Sequence, residues 1–394
     1  MKRQVRNWLF GITAGMLSLA FAACEKDSLT PDDSMDEVYK AILREYVDAT
    51  VVPTYRSLAE AALEMRVANQ ALKQGQSAAA IEAAADAWMT ARIFWEKSEA
   101  FLFGPVGEDA FDIDGHIDSW PLEKNAIDEV LANEAAGLTS ASCWRMDAEE
   151  IGFHVTEYLL FRDGHPRASL TDAELKYLIA ATDALIWDCV LAYVAWAGEA
   201  NVSPEIKNVF RENDEIVAFY EANPAFQQFA DKLKSGTGNY DGSLAAALGE
   251  IPAGCADIAG EVGETKIASP YDTRKTEEVE SWYSWHSLDD YANNIISIRN
   301  AYYGGLDLTA PKANSLSAFV AGKNSDLDSR IKAKIEDSIT KIRAIGNYNA
   351  TTGAYTYSFY EVVRDGIRSE QVDAAVEACA DLEALFGQIS DLID

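Results

Sequence analysis

A histidine and a glutamate stand three positions apart at His154 and Glu157. If this segment is helical, the spacing places the imidazole and the carboxylate on one face of the helix. Metal sites in helical bundles use such side chains from facing helices, usually in the order Glu-x-x-His, whereas the order here is His-x-x-Glu. A single pair can equally be a structural hydrogen bond or part of a solvated face. The pair therefore predicts either a site for a first-row metal ion or a local contact.

A second pair of acidic residues, Glu96 and Glu99, lies in a segment that also contains Arg92 and Trp95. Carboxylates among aromatic and aliphatic neighbours need partners. Arg92 could supply one, as an i, i+4 pair with Glu96 or across a bundle. Either arrangement leaves carboxylate oxygens that could bind a cation.

Other common chemistries lack the residues that they need. The sequence contains no G-x-S-x-G nucleophile motif. Gly322-Lys323 is followed by Asn, where a phosphate-binding P-loop requires Ser or Thr. A calcium loop at 112–118 would have its glycine two positions early and no closing glutamate.

Several sequence blocks resemble the imelysin-like family, exported bacterial proteins that are catalogued as a peptidase family and linked to iron acquisition. The family's GxHxxE signature stands at 152–157. Its upstream hallmark is similar to 91–106 followed by 117–122, and its C-terminal half is similar to 280–289 and 302–304. These blocks occur in the family's order between about residue 39 and residue 303. On this basis the chain is identified as a member of the family.

The resemblance implies two helical-bundle domains with a site near their junction. It makes His154 and Glu157 the motif side chains, and it implies that Gly152 permits close helix packing. Glu96 and Glu99 match acidic positions of the upstream block, and Asp118 is a further candidate. The candidate metal ligands are thus His154, Glu157, Glu96, Glu99 and Asp118. No role is assigned to His286, where the chain departs from the family pattern.

Proteolysis would place further demands on this site. A hydrolytic zinc centre needs about three protein ligands, an open position for water and a general base. The helical motifs H-E-x-x-H and H-x-x-E-H supply two histidines, but Tyr158 stands where the inverted form requires its second one. One histidine with several carboxylates suits iron, manganese or another oxygen-favouring ion. The sequence favours metal binding over proteolysis, with iron as the expected ion and manganese and zinc as alternatives.

Helical periodicity predicts the elements that would position these residues, and no convincing set of alternating strands occurs. We therefore predict an all-α protein with an N-terminal bundle at 35–200 and a C-terminal bundle at 201–394. A local strand pair could form near 355–360. Predicted helices begin near Met35 and at Pro53, and continue at 77–101, at 147–161 with a cap at Asp147, and at 170–198, 204–234, 243–262, 273–303, 325–345 and 372–392.

The N-terminus predicts export. A basic head with Lys2, Arg3 and Arg6 precedes an uncharged stretch of 16 residues that ends at residue 23, which is the order of a secretory signal. A membrane-spanning helix needs roughly 20 apolar residues, and this stretch of 16 is shorter than that. Small residues before Cys24 resemble the bacterial lipobox, which implies cleavage there and acylation of Cys24. We expect a lipid-anchored envelope protein, in the outer membrane on an undecided face, with 24–34 as its tether.

Charge and cysteine content restrict the partners. Removal of residues 1–23 takes away three of the 33 basic residues and none of the 64 acidic ones, so the net charge changes from −31 to −34. Such a surface repels nucleic acid and anionic lipid and raises the local concentration of cations. The four remaining cysteines contain no CxxC spacing, which argues against a zinc–thiolate site. They could be free thiols or form two disulfides: Cys143, Cys189, Cys255 and Cys379.

Three functions fit these observations. The leading hypothesis is an envelope lipoprotein that binds iron or an iron chelate at the candidate ligands and passes it to a neighbouring transporter. The second is a metallopeptidase, with His154 as a ligand and Glu157 as a general base. The third is an anchored module that binds another envelope protein through an aromatic surface at Trp282, Tyr283 and Trp285.

Overall fold

The computed structural model describes residues 33–107, 113–135 and 137–393. The predicted signal, Cys24 and nearly all of the tether lie outside these residues. The predicted all-α class is confirmed, because the only strands in the described part are two short ones that form an antiparallel hairpin, β1 (Phe161–Arg162) and β2 (His165–Pro166).

The helices of the first half are α1 (Asp33–Tyr46), α2 (Val52–Ala71), α3 (Ala78–Glu96), α4 (Ile113–Asp118), α5 (Lys124–Glu129), α6 (Ser140–Trp144), α7 (Gly152–Leu160) and α8 (Asp172–Ala197). Those of the second half are α9 (Pro204–Phe210), α10 (Asp214–Ala222), α11 (Phe229–Ser235), α12 (Leu244–Glu261), α13 (Ser269–Thr273), α14 (Ser287–Tyr303), α15 (Leu316–Lys323), α16 (Ser325–Ile345), α17 (Phe359–Asp365) and α18 (Ser369–Gly387). Three segments are π-helical: Val47–Val51, Val130–Glu134 and Val262–Ala268.

Helix α8 is the core of the first half. It begins as its sequence predicts, because Thr171 and Glu174 form a reciprocal capping box that satisfies backbone N–H groups of the first turn. It is the one helix in the described residues that is long and apolar enough to cross a membrane, but 89% of its apolar window is buried inside the protein. Helix α8 is therefore buried as a central helix of the protein core.

The helices pack in two groups. Around α8 lie α2, α6 and α7, with α3 packed on α2 and α7, while α12, α14, α16 and α18 pack on one another in the second half. The groups meet where α3 contacts α14 and where the 3-10 turn Glu99–Phe101 contacts α12 and α14. The end of α3, with its acidic residues, therefore lies at the junction. The domain boundary at residue 200 stays a prediction.

Three predicted helices were wrong in their extent. The segment predicted at 147–161 begins only at Gly152, because Ile151 is extended and Asp147 caps no helix with its side chain. The segment predicted at 273–303 is interrupted between α13 and α14, and three residues there have positive φ, Arg274 (58°), Ser281 (52°) and Trp285 (62°). The segment predicted at 204–234 divides into α9, α10 and α11.

The structure also shows the state of the four cysteines and of the predicted strand pair. Cys143, Cys189, Cys255 and Cys379 are buried free thiols, so the disulfide alternative is not realised. Near the predicted strand pair the structure has a single bridge between Asn349 and Ala354.

Candidate metal centre

The motif glycine fixes where His154 lies. Gly152 starts α7 with φ of +81°, and a Cβ added there would lie 2.5 Å from the carbonyl oxygen of Ile117. Only glycine permits this backbone conformation and this approach without strain. The start of α7 is thereby held against the end of α4, which carries Asp118. The imidazole Nε2 of His154 lies 3.1 Å from Asp118 Oδ1.

Two tryptophans hold the neighbouring groups in place. The indole Nε1 of Trp95 donates a hydrogen bond of 2.7 Å to Asp118 Oδ2. The ring of Trp120 lies against the imidazole of His154, with ring centroids 4.7 Å apart. Because both neighbours are rigid aromatic side chains, Asp118 and His154 have little freedom to reorient.

A third acidic residue arrives from the other helix group. Glu280 lies in the irregular segment between α13 and α14, and its Oε1 is 3.7 Å from His154 Nε2. Glu280 was not among the ligands predicted from the sequence, although it opens the block similar to the family at 280–289. The signal was hidden because this segment was predicted to be a continuous helix, which gives no reason for Glu280 to point at α7.

The imidazole Nε2 is poised for a cation. His154 is completely buried, and its Nε2 faces two carboxylates, 3.1 Å from Asp118 Oδ1 and 3.7 Å from Glu280 Oε1. One ligand atom from each of His154, Asp118 and Glu280 lies within 4.8 Å of the others. An ion placed between them would gain one nitrogen and two oxygen ligands, so these residues fit a first-row metal ion.

Glu157 lies on the opposite side of the imidazole. Its Oε2 is 3.1 Å from His154 Nδ1, and its Oε1 accepts hydrogen bonds from the backbone N–H and the hydroxyl of Ser284, at 2.8 and 2.7 Å. A carboxylate in this position orients the ring of a metal-binding histidine and increases its basicity. The predicted pair of His154 and Glu157 is therefore a contact within α7. This geometry suits Glu157 as a residue that positions the His154 ring and does not itself bind the metal.

Glu96 and Glu99 form a second group with Asp118, again with one oxygen from each within 4.8 Å of the others. Glu96 is fully buried; its Oε1 lies 2.5 Å from Arg92 Nη2, and its Oε2 accepts a hydrogen bond from Asn294. The structure thus places three predicted ligands around Asp118, namely His154, Glu96 and Glu99, whereas Glu157 contacts only the far side of the His154 ring. It also confirms that Arg92 is an i, i+4 partner of Glu96.

Two buried basic residues supply counter-charge. Arg92 contacts Asp118 and Glu280 as well as Glu96, and its Nε lies 3.6 Å from Asp290 Oδ2. Lys266, in the π-helical segment Val262–Ala268, lies 3.1 Å from Glu280 Oε2. Five carboxylates at the centre therefore share two fixed positive charges: those of Glu96, Glu99, Asp118, Glu280 and Asp290.

The burial of these carboxylates and their distances from the two bases shift their pKa values. Burial raises the pKa of Glu96 and Glu99 well above the ordinary glutamate value, and the nearby charges of Arg92 and Lys266 offset this only in part. Burial acts in the same direction on Glu280, but Lys266, His154 and Arg92 outweigh it and hold its pKa well below the usual range.

The neighbouring carboxylates determine the pKa of His154. Burial and the charge of Arg92 disfavour the imidazolium, yet the carboxylates of Asp118, Glu157 and Glu280 outweigh both and raise the pKa of His154 well above its ordinary value. The same surroundings, Arg92 first, lower the pKa of Asp118 in spite of its burial. A metal ion at Nε2 would therefore take the place of a proton and keep the neighbouring carboxylates neutralised.

Comparisons with known proteins establish the family and the fold. Residues 51–389 match the family model described as Imelysin. The chain belongs to the imelysin family. Among curated imelysin relatives, iron-regulated protein A of Synechococcus elongatus is 28% identical over 300 residues, which cover 76% of this chain and 72% of that protein.

Solved imelysin structures share the fold. A protein from Parabacteroides distasonis, described as an iron-regulated protein A precursor, is 30% identical with a TM-score of 0.75, and the match covers 93% of this chain and 97% of that one. An imelysin-like protein from Psychrobacter arcticum gives a TM-score of 0.58 at 14% identity, over 91% of this chain and 93% of that one. The second likeness shows the fold alone.

The aromatic residues of the third hypothesis are packed within the fold. Trp282 lies against Tyr360, with ring centroids 5.0 Å apart, and Tyr283 lies 5.1 Å from the ring of Tyr158. A Cβ added at Gly164 would collide with the ring of Trp285. All three are partly buried, and their role in partner binding stays a prediction.

The hydroxyl of Ser284 offers a direct test of the role of Glu157. We expect Ser284→Ala to weaken binding of Mn²⁺ about 10-fold, at the lower end of what loss of a group supporting a ligand causes, because the backbone N–H of residue 284 still holds the carboxylate. Isothermal titration calorimetry would measure the change. Ser338→Ala removes a buried hydroxyl of α16, far along the chain from these residues, and should leave the affinity unchanged. If Ser284→Ala and Ser338→Ala change the affinity for Mn²⁺ equally, Glu157 does not support His154 as described.

Proposed function

We propose that this protein is an iron-binding lipoprotein of the bacterial cell envelope that captures the metal for uptake. One observation carries the proposal: the buried His154 Nε2 lies between the carboxylates of Asp118 and Glu280, with one ligand atom of each within 4.8 Å of the others. Two buried carboxylates that face one imidazole nitrogen need a positive charge between them, either a proton on the ring or a bound ion. A bound cation supplies one.

The donor set favours iron or manganese. One imidazole with carboxylate oxygens is typical of oxygen-favouring first-row ions, whereas structural zinc sites are usually rich in cysteine or histidine. Two relatives are described as iron-regulated protein A or its precursor, which supports iron as the metal. The envelope location rests on the signal, the lipobox-like residues and Cys24, and the transfer of the ion to a neighbouring transporter rests on that location.

Proteolysis receives less support from the geometry. A general base must reach the metal-bound water, but Glu157 is buried behind the imidazole and engaged by Ser284. Metal binding alone therefore explains the arrangement, since it requires no general base at the metal.

Removal of the histidine tests the proposal. We expect purified protein to bind Mn²⁺ in air and Fe²⁺ without oxygen, each with a rise in melting temperature, and we expect His154→Ala to weaken binding by at least about 100-fold, more than loss of a supporting group would cause. Calorimetry and thermal melting measure both effects. The matched control is His165→Ala, which removes an exposed histidine of β2 and should change neither. Unchanged binding in His154→Ala, or no binding by the original protein, would refute the proposal.

A further inference from the structure

An acidic cleft leads from the surface to the metal centre. Its volume is about 610 Å³, and Asp118 and Glu280 form part of its wall. The described residues that line it include seven carboxylates and one ammonium group. The carboxylates belong to Glu99, Asp114, Asp118, Glu149, Glu261, Glu278 and Glu280, and the ammonium group to Lys266.

The single ammonium group is already engaged. Lys266 Nζ lies 3.1 Å from Glu280 Oε2 and 4.0 Å from Glu261 Oε1. Its charge is therefore directed at protein carboxylates, and an anion entering the cleft would have to compete with them. In the part of the chain that the structure describes, no arginine lines this wall.

One carboxylate on the route has no partner. Glu99 is only 7% exposed, yet its side chain makes no hydrogen bond and no ion pair within 4.0 Å among the described residues. It also lines an adjoining cleft of about 250 Å³ that adds Glu250 and Asp257. Because Glu99 lines both clefts, its carboxylate is open to a cation that passes along this route.

We propose that this cleft admits the metal as an aquated divalent cation and excludes anionic iron chelates such as ferric citrate. The inference rests on the proposed function, because it names the form in which the same centre receives its cargo. Size does not make the distinction, since pockets of 300–1,000 Å³ commonly hold small organic ligands. Charge does, because a cleft lined by one sign of charge concentrates the opposite ion and repels its own.

Two probes separate these forms. Equilibrium dialysis with Mn²⁺ should show saturable binding, whereas dialysis with ferric citrate carrying radiolabelled citrate should show no citrate retained at 100 times the concentration that half-saturates the protein with Mn²⁺. Retained citrate that is lost in His154→Ala would overturn this inference and leave the proposed function standing. Failure of Mn²⁺ and Fe²⁺ to bind at all would overturn both.

The rim of the cleft gives a second, kinetic test. Glu149 and Glu261 line the cleft, are exposed, and belong to neither group of candidate ligands. In Glu149→Gln/Glu261→Gln we expect the association rate of Mn²⁺ to fall about 3- to 10-fold at low salt, and the difference to disappear at high salt, because screening removes steering by exposed charges.

A control with the same change in net charge isolates position from total charge. Glu82 and Glu205 are exposed and do not line the cleft. Glu82 lies fourteen residues before Glu96 on α3, or about 21 Å along the helix. Glu82→Gln/Glu205→Gln should bind Mn²⁺ at the original rate. If both double variants slow association equally, the cleft does not guide the ion and the inference fails.

Discussion

Arg92→Met is expected to lower the free energy of unfolding of the metal-free protein by about 3–5 kcal/mol, the usual result of removing one partner from a buried ion pair. Arg92 is almost completely buried and contacts Glu96, Asp118 and Glu280. Without it, the carboxylates keep only Lys266 as a fixed counter-charge. They must then stay ionised without a partner, take up protons or find another cation.

The same variant should depend on metal for its stability. Mn²⁺ at 100 times the dissociation constant of the original protein stabilises that protein by about 2.7 kcal/mol. At the same concentration Arg92→Met should gain more than this, because a divalent ion supplies the charge that Arg92 no longer provides. Urea unfolding with and without Mn²⁺ measures this recovery.

Arg66→Met serves as a comparison, since Arg66 pairs with Asp183 and Glu212 at a more exposed position. It should lose about 1 kcal/mol or less, with no recovery beyond that of the original protein. A recovery of equal size in both variants would contradict the role assigned to Arg92.

Gly152→Ala is expected to cost about 4 kcal/mol of folding free energy. The positive φ of +81° and the collision of the new Cβ with the carbonyl oxygens of Ile117, at 2.5 Å, and His116, at 2.8 Å, each contribute about 1–3 kcal/mol. Any relaxation that relieves the collision must move α7 away from α4. His154 and Asp118 would then separate, and we expect the variant to lose most of its affinity for Mn²⁺.

A second glycine gives the matched control. Gly249 lies within α12, and a Cβ added there would meet no atom within 4 Å. Gly249→Ala should therefore be neutral or stabilising by up to about 1 kcal/mol, as expected for alanine in place of glycine in a helix. Urea unfolding and calorimetry on both variants would check this. A Gly152→Ala protein as stable as the original would show that the start of α7 is not held as described.

Much of the local structure could be predicted, because it depends on residues close together in the chain. The pairing of Arg92 with Glu96 follows from their spacing on one helix, as does the contact of His154 with Glu157. The capping box at Thr171 and Glu174 is equally local. Each of these contacts is available to the segment before the rest of the chain folds.

The limits of prediction appear where the backbone leaves regular structure. Helical periodicity continued through 273–303, yet the chain breaks its helix there and adopts positive φ at Ser281 and Trp285. Propensity is a weak guide at such positions, because packing against other elements overrides it. The irregular segment is the one that delivers Glu280 and Ser284 to the centre.

The sequence by itself determined the helical class, the family motif and the identity of four of the acidic groups around His154. Only the tertiary structure decided that Glu280 joins them, that Glu157 stands behind the imidazole, and that Asp118 belongs to both groups of candidate ligands. Ser284 is 127 positions from Glu157, and Glu280 is 188 positions from Arg92. Contacts over such separations are set by how two groups of helices pack together, and no local pattern of residue types encodes that packing.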